Sequence, residues 1–156
     1  MGQAERSFMQ EAIAEAMAGV RERHGGPFGA VIVREGRVVG RGHNHVVENI
    51  DPTAHAEIIA IRNACESLGR FDLSDCELYT TCEPCPMCYA AAWWARIHTI
   101  YYGCDRYDAA AIGFDDEAIY DDLEKGDRQI RTVQIDRDLC MEPMTAWKNA
   151  PDRTPY

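Results

Sequence analysis

Between Cys76 and Gly103 the sequence reads "CELYT", then "PCPMCYAAAWWAR", then "IHTIYYG". The outer pieces are short and rich in apolar, β-branched and aromatic residues, as strands are. The middle piece is alanine-rich, with Pro86 in its first turn, where a missing N–H costs little. Two strands joined through a helix lie parallel, and the crossover between them is right-handed. This stretch alone commits the chain to an α/β architecture.

The flanking sequence fits that frame. Phe8, Met9, Ala12, Ile13, Ala16, Met17 and Val20 recur at helical spacing, predicting a first helix from Glu5 to His24 that stops at the glycine pair Gly25–Gly26. "PFGAVIVREGRVVGRGHN" holds two apolar runs about the turn "REGR", which predicts a hairpin. "NIDPT" reads as a loop and "AHAEIIAIRNACESLG" as a second helix. After Gly103, "DDEAIYDDLEKG" predicts a short helix, "QIRTVQID" a final strand and "CMEPMTAWKN" a last helix. Nothing divides the 156 residues, so one domain with helices on both faces of a mixed sheet is expected.

Composition narrows the function classes. The net charge of −10 repels phosphate backbones, so nucleic acid is not an expected partner. No apolar run is long enough to span a membrane, and the N-terminus lacks the layout of a secretion signal, so a cytoplasmic protein is expected. The seven cysteines are an odd, scattered set that suits a metal cluster plus free thiols better than disulfides. Cys65, Cys76, Cys104 and Cys140 read as small core residues.

The chemistry concentrates at Cys82, Cys85 and Cys88. Cys85 and Cys88 are three apart at a helix start, on one face, where the helix dipole favours thiolate. A lone C-x-x-C also serves as a redox dithiol. His55 and Glu57, at the start of the preceding helix, argue for metal instead, because a crossover fold brings two such starts to one end of the sheet. One imidazole and two thiolates leave a fourth tetrahedral position to water, as in catalytic zinc sites. Cys82 is the rival ligand, placed at a strand end and aimed away from the shared helix face. Glu57 stands beside the metal without ligating it and is read as the acid/base group.

"HAE" followed by "PCPMC" resembles the H-x-E…P-C-x-x-C pattern of zinc-dependent nucleobase and nucleoside deaminases. "GGPFGAVIV", "DPTAHAE", "TTCEPCPMC" and "WAR" extend that resemblance over most of the chain. It implies a three-layer cytidine-deaminase-like fold, with a five-stranded mixed sheet between helices. "GFDDEAIYDDL", "PMTAWKN" and a terminal tyrosine are most similar to the small bacterial guanine deaminases. That narrower likeness implies hydrolysis of guanine to xanthine and ammonia in purine catabolism, with Zn2+ on His55, Cys85 and Cys88 and Glu57 as proton shuttle. It further implies that Phe28, Asn44, Ala56 and Trp94 line the substrate site and that Asp116 meets the donor edge of guanine and assists departure of ammonia. The partner implied is a second copy: a homodimer exchanging the segment at about 138–156, so that Tyr156 caps the neighbour's site.

Each position has a plainer reading. Phe28 and Trp94 suit a core, Asn44 a turn, Asp115 and Asp116 a helix cap, and Tyr156 a loose end. His43 and His45 receive no role, and His24 and His98 are not read as ligands. The rival activities are deamination of tRNA adenosine and of another free base such as cytosine. A zinc-stabilised binding module without catalysis is the rival from another class.

Overall fold

A computed structural model of the chain describes residues 2–126 and 129–156. The sequence folds as α1 (Gln3–Glu22), β1 (Gly29–Arg34), β2 (Arg37–His43), α2 (Val46–Asn49), α3 (Ala56–Leu68), β3 (Cys76–Cys82), α4 (Pro86–Trp94), β4 (Thr99–Cys104), α5 (Arg106–Ala111), α6 (Asp116–Lys125) and α7 (Arg137–Asn149). The strands form one sheet in the order β2-β1-β3-β4. β1 is antiparallel to β2 and to β3, while β3 and β4 are parallel with α4 between them. The crossover expected between Cys76 and Gly103 is therefore present.

Alternation along the strands sorts the core into two layers. Val31, Val33 and Tyr79 face α1, meeting Ala12 with Phe8 and Met9 at the margin. Ala30, Ile32 and Leu78 face the other way, against Ala56, Ala60 and Ala64 of α3 and Ala92 and Ala95 from the α4 end. The small residues let α3 lie close to the sheet. A Cβ on Gly42 of β2 would sit 2.6 Å from the Ala56 carbonyl oxygen, so only glycine allows that contact. Closeness at this point fixes where α3 begins, and hence where His55 stands.

Two expectations need correction. The sheet has four strands among the described residues, not five, because residues 129–136, expected as the last strand, join none of the sheet's strands. A strand needs a neighbouring strand for its ladder of N–H and C=O groups, and the described sheet offers this segment none. Of the four cysteines read as core, only Cys76 is buried; Cys65 is intermediate, and Cys104 and Cys140 are exposed. Every residue from 129 to 149 is exposed, including the whole of α7. No described helix is long and apolar enough to cross a membrane.

Candidate active site

The helix starts that the sequence singles out meet. His55 is the N-cap of α3 and Cys85 the N-cap of α4, both in extended conformation, with Pro86 opening α4. His55 Nδ1 lies 3.6 Å from Cys85 Sγ and 3.5 Å from Cys88 Sγ. Zinc–sulfur bonds of about 2.3 Å and zinc–nitrogen bonds of about 2.0–2.1 Å at a tetrahedral angle place such atoms roughly 3.6 Å apart. The three groups thus fit one zinc ion. Cys82 is not in this set; its thiol faces the Asp105 carbonyl oxygen at 3.6 Å, and burial pushes it up to about 12.

The two thiols divide one proton between them. Cys88 donates toward Cys85, holding Cys85 as thiolate down to about 4 with His55 adding to the effect. The same bond and burial push Cys88 far above an ordinary thiol. A dication at this point replaces that proton, so metal binding is coupled to its release.

Glu57, in the first turn of α3, is only 6% exposed. Burial raises its carboxyl above the usual range. Its orientation is set by Thr80 in the middle of β3, whose hydroxyl donates to Glu57 Oε1 at 3.1 Å. Ala56, between His55 and Glu57, is fully buried against the sheet.

Around these groups opens a small cleft. Phe28, Asn44, His55, Glu57, Cys85 and Asp116 all line it. Asn44 is 4% exposed, and its Oδ1 accepts from the Val46 N–H at 3.1 Å, which leaves the side-chain NH2 as the free hydrogen-bonding group. Asn44 thus closes the turn through its Oδ1 and also lines the cleft. Asp116 is the first residue of α6 and makes no cap; burial raises its carboxyl, and the Cys85 thiolate adds to the shift.

The structure adds residues that pattern alone did not mark. Phe114 crosses Phe28 edge to face, centroids 4.8 Å apart, and completes an aromatic wall. Glu83 is gripped by Arg106 at 2.7 Å, and that guanidinium lies 3.7 Å over the Tyr120 ring. Tyr120 in turn donates to the Pro84 carbonyl oxygen at 2.6 Å. This chain of contacts docks α6 onto the Cys82–Cys85 turn, and so carries Asp116 into the cleft. "CEP" before the cysteine pair was the available signal for Glu83, but its partner lies in α5, which the sequence did not reveal.

Three residues expected around the substrate do not line this cleft, and Ala56, fully buried, is the first of them. Trp94 closes α4, at the opposite end from Cys85, and is 58% exposed. Tyr156 lies beside it, with ring centroids 6.2 Å apart, and at the same distance from Phe71. Neither lines the cleft of its own chain.

With this geometry in view, comparison with known proteins is informative. The pattern of the cytidine and deoxycytidylate deaminase zinc-binding region matches residues 3–104, which include the whole metal set. Guanine deaminase of Bacillus subtilis is 45% identical over 96% of this chain and 97% of its own. The X-ray structure of the Bacillus subtilis guanine deaminase superposes with a TM-score of 0.92 at 44% identity, covering 100% of this chain and 99% of that one. A tRNA-specific adenosine deaminase of Agrobacterium fabrum is 48% identical, but over 67% of this chain and 68% of its own. The chain therefore belongs to the cytidine and deoxycytidylate deaminase family, and its His/Cys/Cys cluster lies within the residues that match that family's zinc-binding region.

Proposed function

We propose that the chain hydrolyses guanine to xanthine and ammonia. The observation that carries this reading is the polarity of the cleft beside the zinc set: a donor amide on Asn44 and an acceptor carboxyl on Asp116 share one aromatic-walled space. Guanine presents acceptors at O6 and N7 and donors at N1 and the 2-amino group, which matches that pair. Adenine has an acceptor at N1, which the Asp116 carboxylate opposes. Full-length similarity to a guanine deaminase, against two-thirds similarity to an adenosine deaminase, favours the same reading.

His55, Cys85 and Cys88 would hold the zinc, which would supply Lewis acidity and lower the pKa of an attacking water to about 7. The protein's own groups do the rest. Glu57 takes a proton from the attacking water and gives it to the ring nitrogen next to carbon 2, so no negative charge builds on the purine. The oxygen joins carbon 2, and its remaining proton, passed to the amino group, lets the bond from carbon 2 to that nitrogen break, releasing ammonia and leaving a carbonyl at carbon 2. Phe28 and Phe114, packed edge to face on each other, give the ring an apolar wall and exclude bulk water on that side. Thr80 keeps Glu57 aimed through both transfers.

The same reading extends to the assembly. Trp94 and Tyr156 lie together and away from their own cleft, while residues 129–149 expose Ile130, Val133, Ile135, Leu139, Met144 and Trp147. An apolar segment with no cover in its own chain supports a homodimer in which the C-terminal segment crosses over and delivers Tyr156 to the neighbour. Their pairing supports delivery of Trp94 together with Tyr156, a change from the expectation that Trp94 walls its own chain's pocket. A cytoplasmic role in purine catabolism follows from the substrate.

Ammonia release measured with guanine, guanosine, adenine, cytosine and an anticodon stem-loop tests the activity, with zinc content determined on the same sample. Turnover of guanine is expected at about one zinc per chain. Stem-loop turnover without guanine turnover would overturn the assignment.

A further inference from the structure

A second group of potential ligands lies on the far side of Asn44. His24, His43 and His45 come from three places: just past the C-terminus of α1, the last residue of β2, and the N-cap of α2. Each offers a ring nitrogen, and these nitrogens lie within 4.8 Å of one another. The rings stack, with centroids 4.2 Å apart for His43–His45, 4.9 Å for His24–His45 and 5.1 Å for His24–His43. We propose that His24, His43 and His45, with Glu48, form a second transition-metal site, separate from the His55–Cys85–Cys88 centre.

Four observations support it. Carboxylates hold the outer face of the cluster: Glu15 Oε2 meets His43 Nδ1 at 3.0 Å and Glu48 Oε2 meets His45 Nδ1 at 2.5 Å. A carboxylate on one ring nitrogen keeps the proton there and leaves the other, Nε2, as a lone pair, which is how metal-ligating histidines are oriented. His24 Nδ1 already lies 2.8 Å from His43 Nε2, and a single proton bridges those two rings, so one nitrogen of the pair is unprotonated. Glu48 Oε1, 3.5 Å from His24 Nε2, adds an anionic oxygen at the edge.

The backbone holds these groups in place. The His24 carbonyl oxygen accepts from both Val47 and Glu48 N–H at 3.0 Å, and His45 N–H donates to the Ala54 carbonyl oxygen at 2.9 Å. Over His43 the α1 residue is Gly19, where a Cβ would stand 2.7 Å from His43 Cδ2, so the helix passes directly against the ring. Lastly, the side chains are 14–23% exposed: shielded, yet reachable by an ion from solvent. The C-terminus of α1 and the two carboxylates favour positive charge there.

The donor set indicates the class of ion. Imidazole nitrogen with one carboxylate and no thiolate suits Ni2+, Co2+, Cu2+ or Zn2+ over Ca2+ or Mg2+. Because His43 and His45 bracket Asn44, an ion there would clamp the backbone that presents the Asn44 amide to the cleft. The inference does not depend on which base is deaminated.

The test titrates the zinc-loaded enzyme with Ni2+, removes unbound metal by gel filtration, and measures both metals. One nickel per chain beside one zinc is expected, and a double His24→Gln, His45→Gln variant should lose the nickel while keeping zinc. Glu15→Gln, which leaves all three histidines in place, should weaken nickel binding by about 10–100-fold; it carries the test if the double variant does not fold. No nickel uptake at about 1 mM, an order of magnitude chosen to exceed weak surface binding, would overturn the site. So would uptake undiminished in Glu15→Gln and the double variant.

Discussion

Every buried apolar residue of the described chain lies at or before Ala109, whereas residues 129–149 are exposed throughout. The first region closes on itself: two core layers on a mixed sheet, two helix starts meeting at a metal set, and a buried acid between them. The second region carries the makings of a helix and an extended segment but covers none of its own apolar side chains. The family match also ends at residue 104. On the proposed reading, the metal set and the buried acid lie wholly in the first region, while Phe114 and Asp116, beyond it, join Phe28 and Asn44 in lining the cleft.

The contrast can be broken or sharpened by substitution. The largest effect is expected from Glu57→Gln, which should keep zinc and fold but lower turnover by about 10²–10⁴-fold, the usual share of a general acid/base. Metal analysis and steady-state rates check it, and near-normal turnover would move the proton transfer elsewhere. Leu78→Ala should cost about 2–5 kcal/mol in denaturant unfolding, because Leu78 is fully enclosed. Leu139→Ala, on exposed α7, should cost within about 0.5 kcal/mol in an isolated chain. If α7 is covered by a second copy, the Leu139 variant instead shows a melting temperature that falls on dilution more steeply than the wild type.

A smaller loss is expected at the junction of the regions. Asp116→Asn should reduce kcat/KM for guanine by roughly 10–100-fold, equivalent to a charged hydrogen bond of about 1.5–3 kcal/mol, with zinc unchanged. Improved turnover of adenine in that variant would fit the donor–acceptor argument; an unchanged kcat/KM for guanine would remove Asp116 from the site. The smallest effect lies in the first region alone. Asp75 joins Arg34 at 2.7 Å and also pairs with Arg70, and the Arg34 bond leads in holding its carboxyl at about 2, below the ordinary 3.8. A depressed folded pKa stabilises above the unfolded value, and the contribution is lost as pH falls toward 2. Asp75→Asn should therefore lower the melting temperature slightly at pH 7 and match the wild type near pH 2; an equal deficit at both would sink the ion-pair account.

Sequence was informative where chemistry or periodicity is local. The crossover from Cys76 to Gly103, the Cys85–Cys88 pair and the last helix, read over Cys140–Asn149 within the observed Arg137–Asn149, were legible because their signals sit within a few residues of one another, and His55 was found because the crossover implies that two helix starts meet. The short α5 was not, since six residues give no periodicity to read. Gln129–Asp136 has strand composition, yet strand formation depends on a partner that composition does not disclose. Likewise Glu83, Arg106 and Tyr120 act together across three segments, so no single stretch announces them. Pattern reading also passed over His24, because its neighbours His43 and His45 reach it only through the fold.

The most direct measurement mixes two inactive chains. One carries Glu57→Gln and an intact C-terminus; the other keeps Glu57 and ends at residue 126, without the exposed segment. Guanine turnover should be negligible for each alone and should recover in the mixture, where an intact zinc and Glu57 site receives the other chain's C-terminal segment. Full guanine turnover by the shortened chain alone, or no recovery in mixtures that do form dimers, would contradict the account.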